Sequence, residues 1–215
     1  MLTKFFLIVL IIVAGCDESP TDPDILIPSP LTVDVISTQL GTVKILDISL
    51  DGSASVRVDY WYDSTSVLRQ ISSAEDNLHS VVLAQMVQNT TYQYEVTPYL
   101  ESNDGTPMSG SLTTDSLHAN INNLIDITVT GESTVPMMIL EPRWPPWAGF
   151  LIVTTQGEAV WQYQVKWTPQ GMTLRENGNF VFLDTDLGEG LIEVDATGEV
   201  INRLLLSDHT VVAVH

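Results

Sequence analysis

One pattern in this 215-residue chain occurs twice, 41 residues apart. Gly149 to Val160 returns as Gly190 to Ile201. Each copy is a short apolar strand, a polar turn closed by Gly-Glu (Gly157-Glu158, Gly198-Glu199), and a second apolar strand. A supersecondary unit of this kind cannot bury its apolar face alone, so it must stack on a neighbour. A period near 40 with several strands per unit is the spacing of propeller blades. A propeller closes with roughly four to eight blades, and this chain has room for about two.

The rest of the chain reads as all-β. Beyond the N-terminal segment no long helical periodicity occurs. Alternating apolar and polar runs are punctuated by Gly, Asn, Asp and Pro. In 31–118 the strand candidates are Leu31–Ile36, Val43–Leu50, Ser55–Tyr62, His79–Leu83, Tyr92–Leu100 and Gly110–Thr114, with turns at Asp51-Gly52, Asp63-Ser64 and Asn103-Asp104-Gly105. Short strands at this spacing over about 90 residues predict a β-sandwich. In 119–215 three hairpins are expected: Gly149–Val165, Gly171–Leu183 and Gly190–Leu206. The second turns at Asn177-Gly178, a pair that tolerates the positive φ of a type I′ turn. Three successive hairpins are what up-and-down blades of four strands produce.

The first 15 residues have the form of a secretory signal: Lys4, then an apolar run from Phe5 to Val13, then small residues up to Cys16. The run is short for a membrane span. Val13-Ala14-Gly15-Cys16 resembles the bacterial lipobox, which implies cleavage before Cys16 and a diacylglyceryl group on its thiol. The alternative is an ordinary signal with a cysteine at its end. Cys16 is the only cysteine, so an intrachain disulfide is excluded. Residues 16–30, rich in Pro and acid, read as an extended tether. The lipobox resemblance implies a lipid-anchored protein of the bacterial envelope, facing the periplasm or the exterior.

The chain has 27 acidic and 8 basic residues, a net charge of −19. Such a surface repels phosphate backbones, which argues against nucleic acid as a partner. A hydrophobic fraction of 44% is too high for a disordered chain.

Other groups carry weaker signals. Tyr60-Trp61-Tyr62 reads as core plus edge or as an aromatic binding strip. Trp144 and Trp147 read as interdomain packing or as a stacking platform for a ligand. Asp184, Asp186 and Gly188 have a spacing reminiscent of calcium loops but lack further ligands. Asp195, just before a glycine turn, is placed to cap backbone N–H groups. His79 and His118 lack a partner at ligand spacing and read as structural or solvated. No P-loop, dinucleotide fingerprint, nucleophile elbow or zinc pattern occurs.

Two stretches resemble known families. Asn89 to Val96 resembles the fibronectin type III "T-x-Y-x-V" strand (here Thr90-Thr91-Tyr92-Gln93-Tyr94-Glu95-Val96), in which the first tyrosine ties its hydroxyl back to the backbone. Residues 149–206 resemble the start of the bacterial arylsulfotransferase propeller. The resemblance rests on Gly157-Glu158-Ala159-Val160-Trp161, Leu174 to Asn179, and Ile192 to Val200. It implies a fibronectin III/Ig-like sandwich (31–118) followed by the first one to two blades of a β-propeller (119–215). It also implies sulfuryl transfer from an aryl sulfate to a phenol through a histidine, with neither a nucleotide donor nor a cofactor. His215 is the candidate first residue of that family's His-His-Asp run. The 215 residues alone are expected to be catalytically silent. Two alternatives stay open: a non-enzymatic surface lipoprotein whose β-domains serve binding or spacing, and a propeller of similar repeat with another ligand, such as a quinone or a sugar.

Overall fold

The structure, a computed structural model, describes residues 26–63, 67–117, 127, 130, 137–144, 147–165, 169–184 and 190–204. Among these there is no helix. The described residues form antiparallel strands in three sheets.

The first sheet is organised by one long ribbon. Strand β2 (Lys44–Trp61) pairs with β3 (Leu68–Leu83) along one edge. On its other edge it pairs first with β1 (Pro30–Ser37) and then with β4 (Thr91–Leu100). β4 also carries β5 (Asn103–Asp104) and β6 (Met108–Thr113). A straight strand of 18 residues would be roughly 60 Å long, far more than a domain of this size spans. The ribbon therefore bends, and its ladder loses register between Ser49 and Val56. The Tyr60 hydroxyl, near one end of β2, donates to the Ala84 carbonyl at 2.8 Å. Ala84 follows Leu83, whose partner Lys44 begins β2. The two ends of the ribbon thus meet, and it folds over one core.

Alternation fills that core. Leu46, Ile48, Leu50, Val56, Val58 and Tyr60 are buried, with Leu83, Met86, Tyr92, Val96 and Leu112 packed against them. Asp47, Arg57 and Asp59 lie on the other face of β2, as a two-residue period requires. Asp51-Gly52, expected to reverse the chain, lies inside β2 and marks its corner. The expected strand His79–Leu83 is only the end of β3. The rest of β3 is mostly polar, and Ile71 and Leu78 lie exposed on it, so apolar alternation gives no signal there.

The second sheet contains β7 (Met137–Leu140), β8 (Arg143–Trp144), β9 (Trp147–Thr154) and β10 (Ala159–Val165), with β9 pairing with all the others. The third is a meander of β11 (Pro169–Leu174), β12 (Phe180–Asp184), β13 (Gly190–Val194) and β14 (Val200–Leu204), each strand beside the next. All three expected hairpins are present.

The sequence repeat is also a structural repeat. In the first copy Val153 faces Ala159 and Ile152 faces Trp161, so Val160 is skipped. In the second, Val194 faces Val200 and Glu193 faces Asn202, so Ile201 is skipped. Each position is its counterpart plus 41. The three hairpin loops share one form as well. Gly157, Gly178 and Gly198 have φ of 84°, 84° and 83°. Their amides donate to the carbonyls of Thr154, Arg175 and Asp195 respectively. The amides of those three residues in turn donate to Glu158, Asn179 and Glu199. This is a type I turn closed by a left-handed glycine bulge. The expected type I′ turn at Asn177-Gly178 is corrected accordingly: only Gly178 is left-handed, since Asn177 is not among the described non-glycine residues of positive φ. Asp195 caps its turn as expected, its Oδ1 accepting from the Thr197 and Glu199 amides at 2.8 and 3.0 Å.

Gly178 and Gly198 share a backbone conformation but not a neighbourhood. A Cβ on Gly178 would meet open space, whereas one on Gly198 would lie 3.0 Å from Leu40 Cδ1. Gly178→Ala is expected to cost about 1 kcal/mol through its positive φ. Gly198→Ala should cost more, because Leu40 and Gln39 must also give way. Urea unfolding of the two variants checks the order.

Candidate functional site

The residues singled out by sequence do not converge. Cys16, His118, Asp186, Gly188 and His215 lie outside the described residues, as does the Trp144 side chain. His79 is 6% exposed and serves the bend of β3. Its Nε2 lies 2.9 Å from the Asp76 carbonyl, which can only accept, so Nε2 carries the proton. Nδ1 then accepts from the Ser72 hydroxyl at 3.0 Å. Both ring nitrogens are committed to fold geometry. No group of three or more metal-ligating side chains occurs among the described residues.

The aromatic candidates divide between core and edge. Tyr60 is buried in the first core, and Tyr62, 44% exposed, meets Tyr92 edge-on at 5.4 Å. The Tyr92 hydroxyl accepts from the Val87 amide at 2.9 Å, tying the strand back to the chain five residues upstream. Burial, the largest influence, pushes the Tyr92 hydroxyl up to about 12. Trp147 is buried with Leu151 and Val153 of its own strand and with Leu117 from the end of the first segment. It therefore packs the second sheet against the chain around Leu117 and offers no exposed ring to a ligand.

What the fold does bring together is a seam between the first sheet and the two later ones. The loop Thr38–Val43, which leads into β2, enters it. Leu40 and Val43 are buried among Phe150, Ile152, Val160, Trp161, Phe182, Ile192 and Val194. The Thr42 hydroxyl donates to the Val160 carbonyl at 2.8 Å, at the bulge of the first copy. Gln39 Nε2 donates to the Gly198 carbonyl at 2.7 Å, in the turn of the second. Trp161 Nε1 donates to the Ala196 carbonyl at 2.9 Å, joining the two copies. Beside this seam a cleft of about 590 Å³ opens between β3, β7, β9, β10 and β12. No local pattern points to it, since residues more than a hundred positions apart line it.

A second cluster lies on the face of the third sheet that points away from the seam. Glu193 Oε1 accepts from Asn179 Nδ2 at 2.8 Å and from Asn177 Nδ2 at 3.3 Å. Its Oε2 accepts from Asn202 Nδ2 at 3.0 Å and, weakly, from the Arg175 guanidinium at 3.5 Å. These hydrogen bonds, led by Asn179, hold the Glu193 carboxyl at about 2, well below the ordinary carboxylate range. The hairpin glycine at 178 sets the direction of Asn177 and Asn179, and strand register sets that of Asn202. All four groups donate to the carboxylate, whose two oxygens are both occupied, so Glu193 is held within a polar network of the fold.

No model of a known protein family matches the chain, and no curated protein matches it.

Because the folded-state value for Glu193 is depressed, its carboxylate stabilises the fold above the unfolded value near 4.5 and loses that effect as pH falls towards 2. Glu193→Gln should therefore lower the urea midpoint at pH 7. The gap between variant and parent should close as pH is lowered from about 4.5 to 2.

Proposed function

We propose that residues 119–215 are the first one to two blades of a β-propeller of the arylsulfotransferase type. In this reading they stand behind a fibronectin III/Ig-like sandwich in a lipid-anchored protein of the bacterial envelope, and the 215 residues are the non-catalytic N-terminal part of that protein. The observation that carries the reading is the way the two copies stack. In the first copy Leu151 and Val153 face one way, while Phe150 and Ile152 face the third sheet. In the second copy Ile192 and Val194, the counterparts of Leu151 and Val153, receive them. The counterparts of Phe150 and Ile152 are Leu191 and Glu193, which point away from the seam. The front of one unit therefore meets the back of the next, a heterologous contact of the kind that builds a ring when its rotation closes.

The outward face supports the same reading. Leu183, Leu191 and Leu204 stand side by side across three strands. Leu191 and Leu204 are 41% and 60% exposed. In this reading a further unit covers this leucine strip, which lies beside the polar Glu193 network on the same face.

The chemistry in this reading belongs to the resemblance. A neutral imidazole attacks sulfur and releases a phenolate, then passes the sulfuryl group to the oxygen of a phenol, which gives up its proton. His215 is the candidate imidazole, and neither a cofactor nor a nucleotide takes part. A second reading, a surface lipoprotein that binds or spaces without catalysis, is favoured by the seam cleft and by the structural use of His79.

The test begins with the native protein in its own membrane fraction. The first reading expects a polypeptide much larger than the 23.7 kDa of this chain that moves sulfate from a phenyl sulfate to a phenol and loses this activity on His215→Asn. Residues 16–215 alone are expected to show no turnover. A native polypeptide of the chain's own mass, inactive in the same assay, overturns this reading in favour of the second.

A further inference from the structure

We propose that the seam cleft binds one uncharged, mainly hydrocarbon small molecule with a hydrogen-bonding group at one end. The proposal is independent of the propeller reading, because the cleft is formed entirely by described residues, however many blades follow.

Three observations carry it. The first is charge. Val82, Met137, Ile139, Ile152, Trp161 and Phe180 supply large apolar side chains to the lining, and no lining residue carries a charge. In a chain with 27 acidic and 8 basic residues that is a marked exclusion. A charged ligand here would lose its hydration and find no counter-charge, while the net charge of −19 further disfavours an anion. At about 590 Å³ the cleft lies within the range of small-molecule sites.

The second observation is that the wall is already in place. The Trp161 indole is fixed by its bond to the Ala196 carbonyl. Its ring lies 4.5 Å from that of Phe180 at 39° and stacks with Tyr163 at 6.0 Å and 12°. A preformed wall spares the ligand the cost of ordering side chains.

The third observation is backbone strain at the polar end. Gln85, which lines the cleft, is a non-glycine residue held at φ 62°. It follows Ala84, whose carbonyl is bound by the Tyr60 hydroxyl. Gln70, also in the lining, hydrogen-bonds the same hydroxyl. Non-glycine residues held in the left-handed region are strained and cluster at ligand sites. The two amides give the otherwise apolar cleft a donor and an acceptor for the ligand's end group.

Two probes that differ only in charge test the proposal. N-phenyl-1-naphthylamine is neutral, and 1-anilinonaphthalene-8-sulfonate has the same ring skeleton with a sulfonate. Each is titrated into the full chain carrying Cys16→Ser, so that no acyl chain competes. The expected result is saturable binding of one equivalent of the neutral probe, at least about tenfold tighter than the anionic one. Ile139→Trp, at a 41% exposed position, should fill the cleft and weaken the neutral probe by about tenfold or more. Leu174→Asp, at a 55% exposed lining position, should do the same by adding a charge, and its exposure keeps the fold intact if the first variant does not fold. Non-saturable uptake, equal affinity for the two probes, or unchanged binding in a folded variant would each overturn the proposal.

Discussion

The architecture depends on one apolar contact, the packing of Phe150, Trp161, Phe182, Ile192 and Val194 around Leu40 and Val43. Neither later sheet can bury both of its faces by itself. The second sheet turns Phe150 and Ile152 outward, and the third turns Phe182 and Val194 to meet them. Fully burying a large apolar side chain is worth about 1.5–3 kcal/mol, so separating these sheets would expose a dozen such groups at once. The rings meet at specific angles: Phe150 and Phe182 lie 4.9 Å apart at 52°, a tilted arrangement favourable to aromatic pairs.

Hydrogen bonds set the position of that contact more than its strength. Thr42, Gln39 and Trp161 each reach a backbone carbonyl that the strand ladders leave free, at the bulge or in a turn of the repeat. A buried carbonyl without a donor is costly. The seam therefore tolerates little sliding, because a shift of one residue would break all three bonds. The same rigidity leaves the neighbouring cleft unfilled: the walls are fixed by contacts elsewhere and cannot collapse into it.

The Glu193 network shows how one repeat unit diverges from another within a shared backbone. Glu193 and Asn202 occupy the positions that Ile152 and Trp161 occupy in the first copy. Apolar packing holds one pair and a ring of amide donors holds the other. An ionised carboxylate is acceptable on a partly covered sheet face only when its lone pairs are filled, and Asn177, Asn179 and Asn202 fill them. Lys44 is another buried charge, 2% exposed as a residue, and its ammonium meets Asp115 at 2.7 Å and Ser37 at 3.0 Å.

Sequence alone determined the all-β character, the strands of alternating pattern, the three hairpins and the 41-residue repeat down to its turn glycines. These are local properties: a two-residue period and a glycine's freedom at positive φ are written within a few positions of each other. Sequence misjudged the corner at Asp51-Gly52 and most of β3, because a long ribbon folding over its own core is a matter of distant contacts such as Tyr60 to Ala84. It also assigned the wrong turn type to Asn177-Gly178, since the bulge that distinguishes the two loops depends on the pairing of both strands. Tertiary structure alone decided that His79 is structural, that Trp147 is buried, that Glu193 gathers three asparagines, and that a neutral cleft opens beside the seam. Each of these brings together residues whose proximity no local pattern encodes, because it arises only when separate apolar faces are driven out of water against one another.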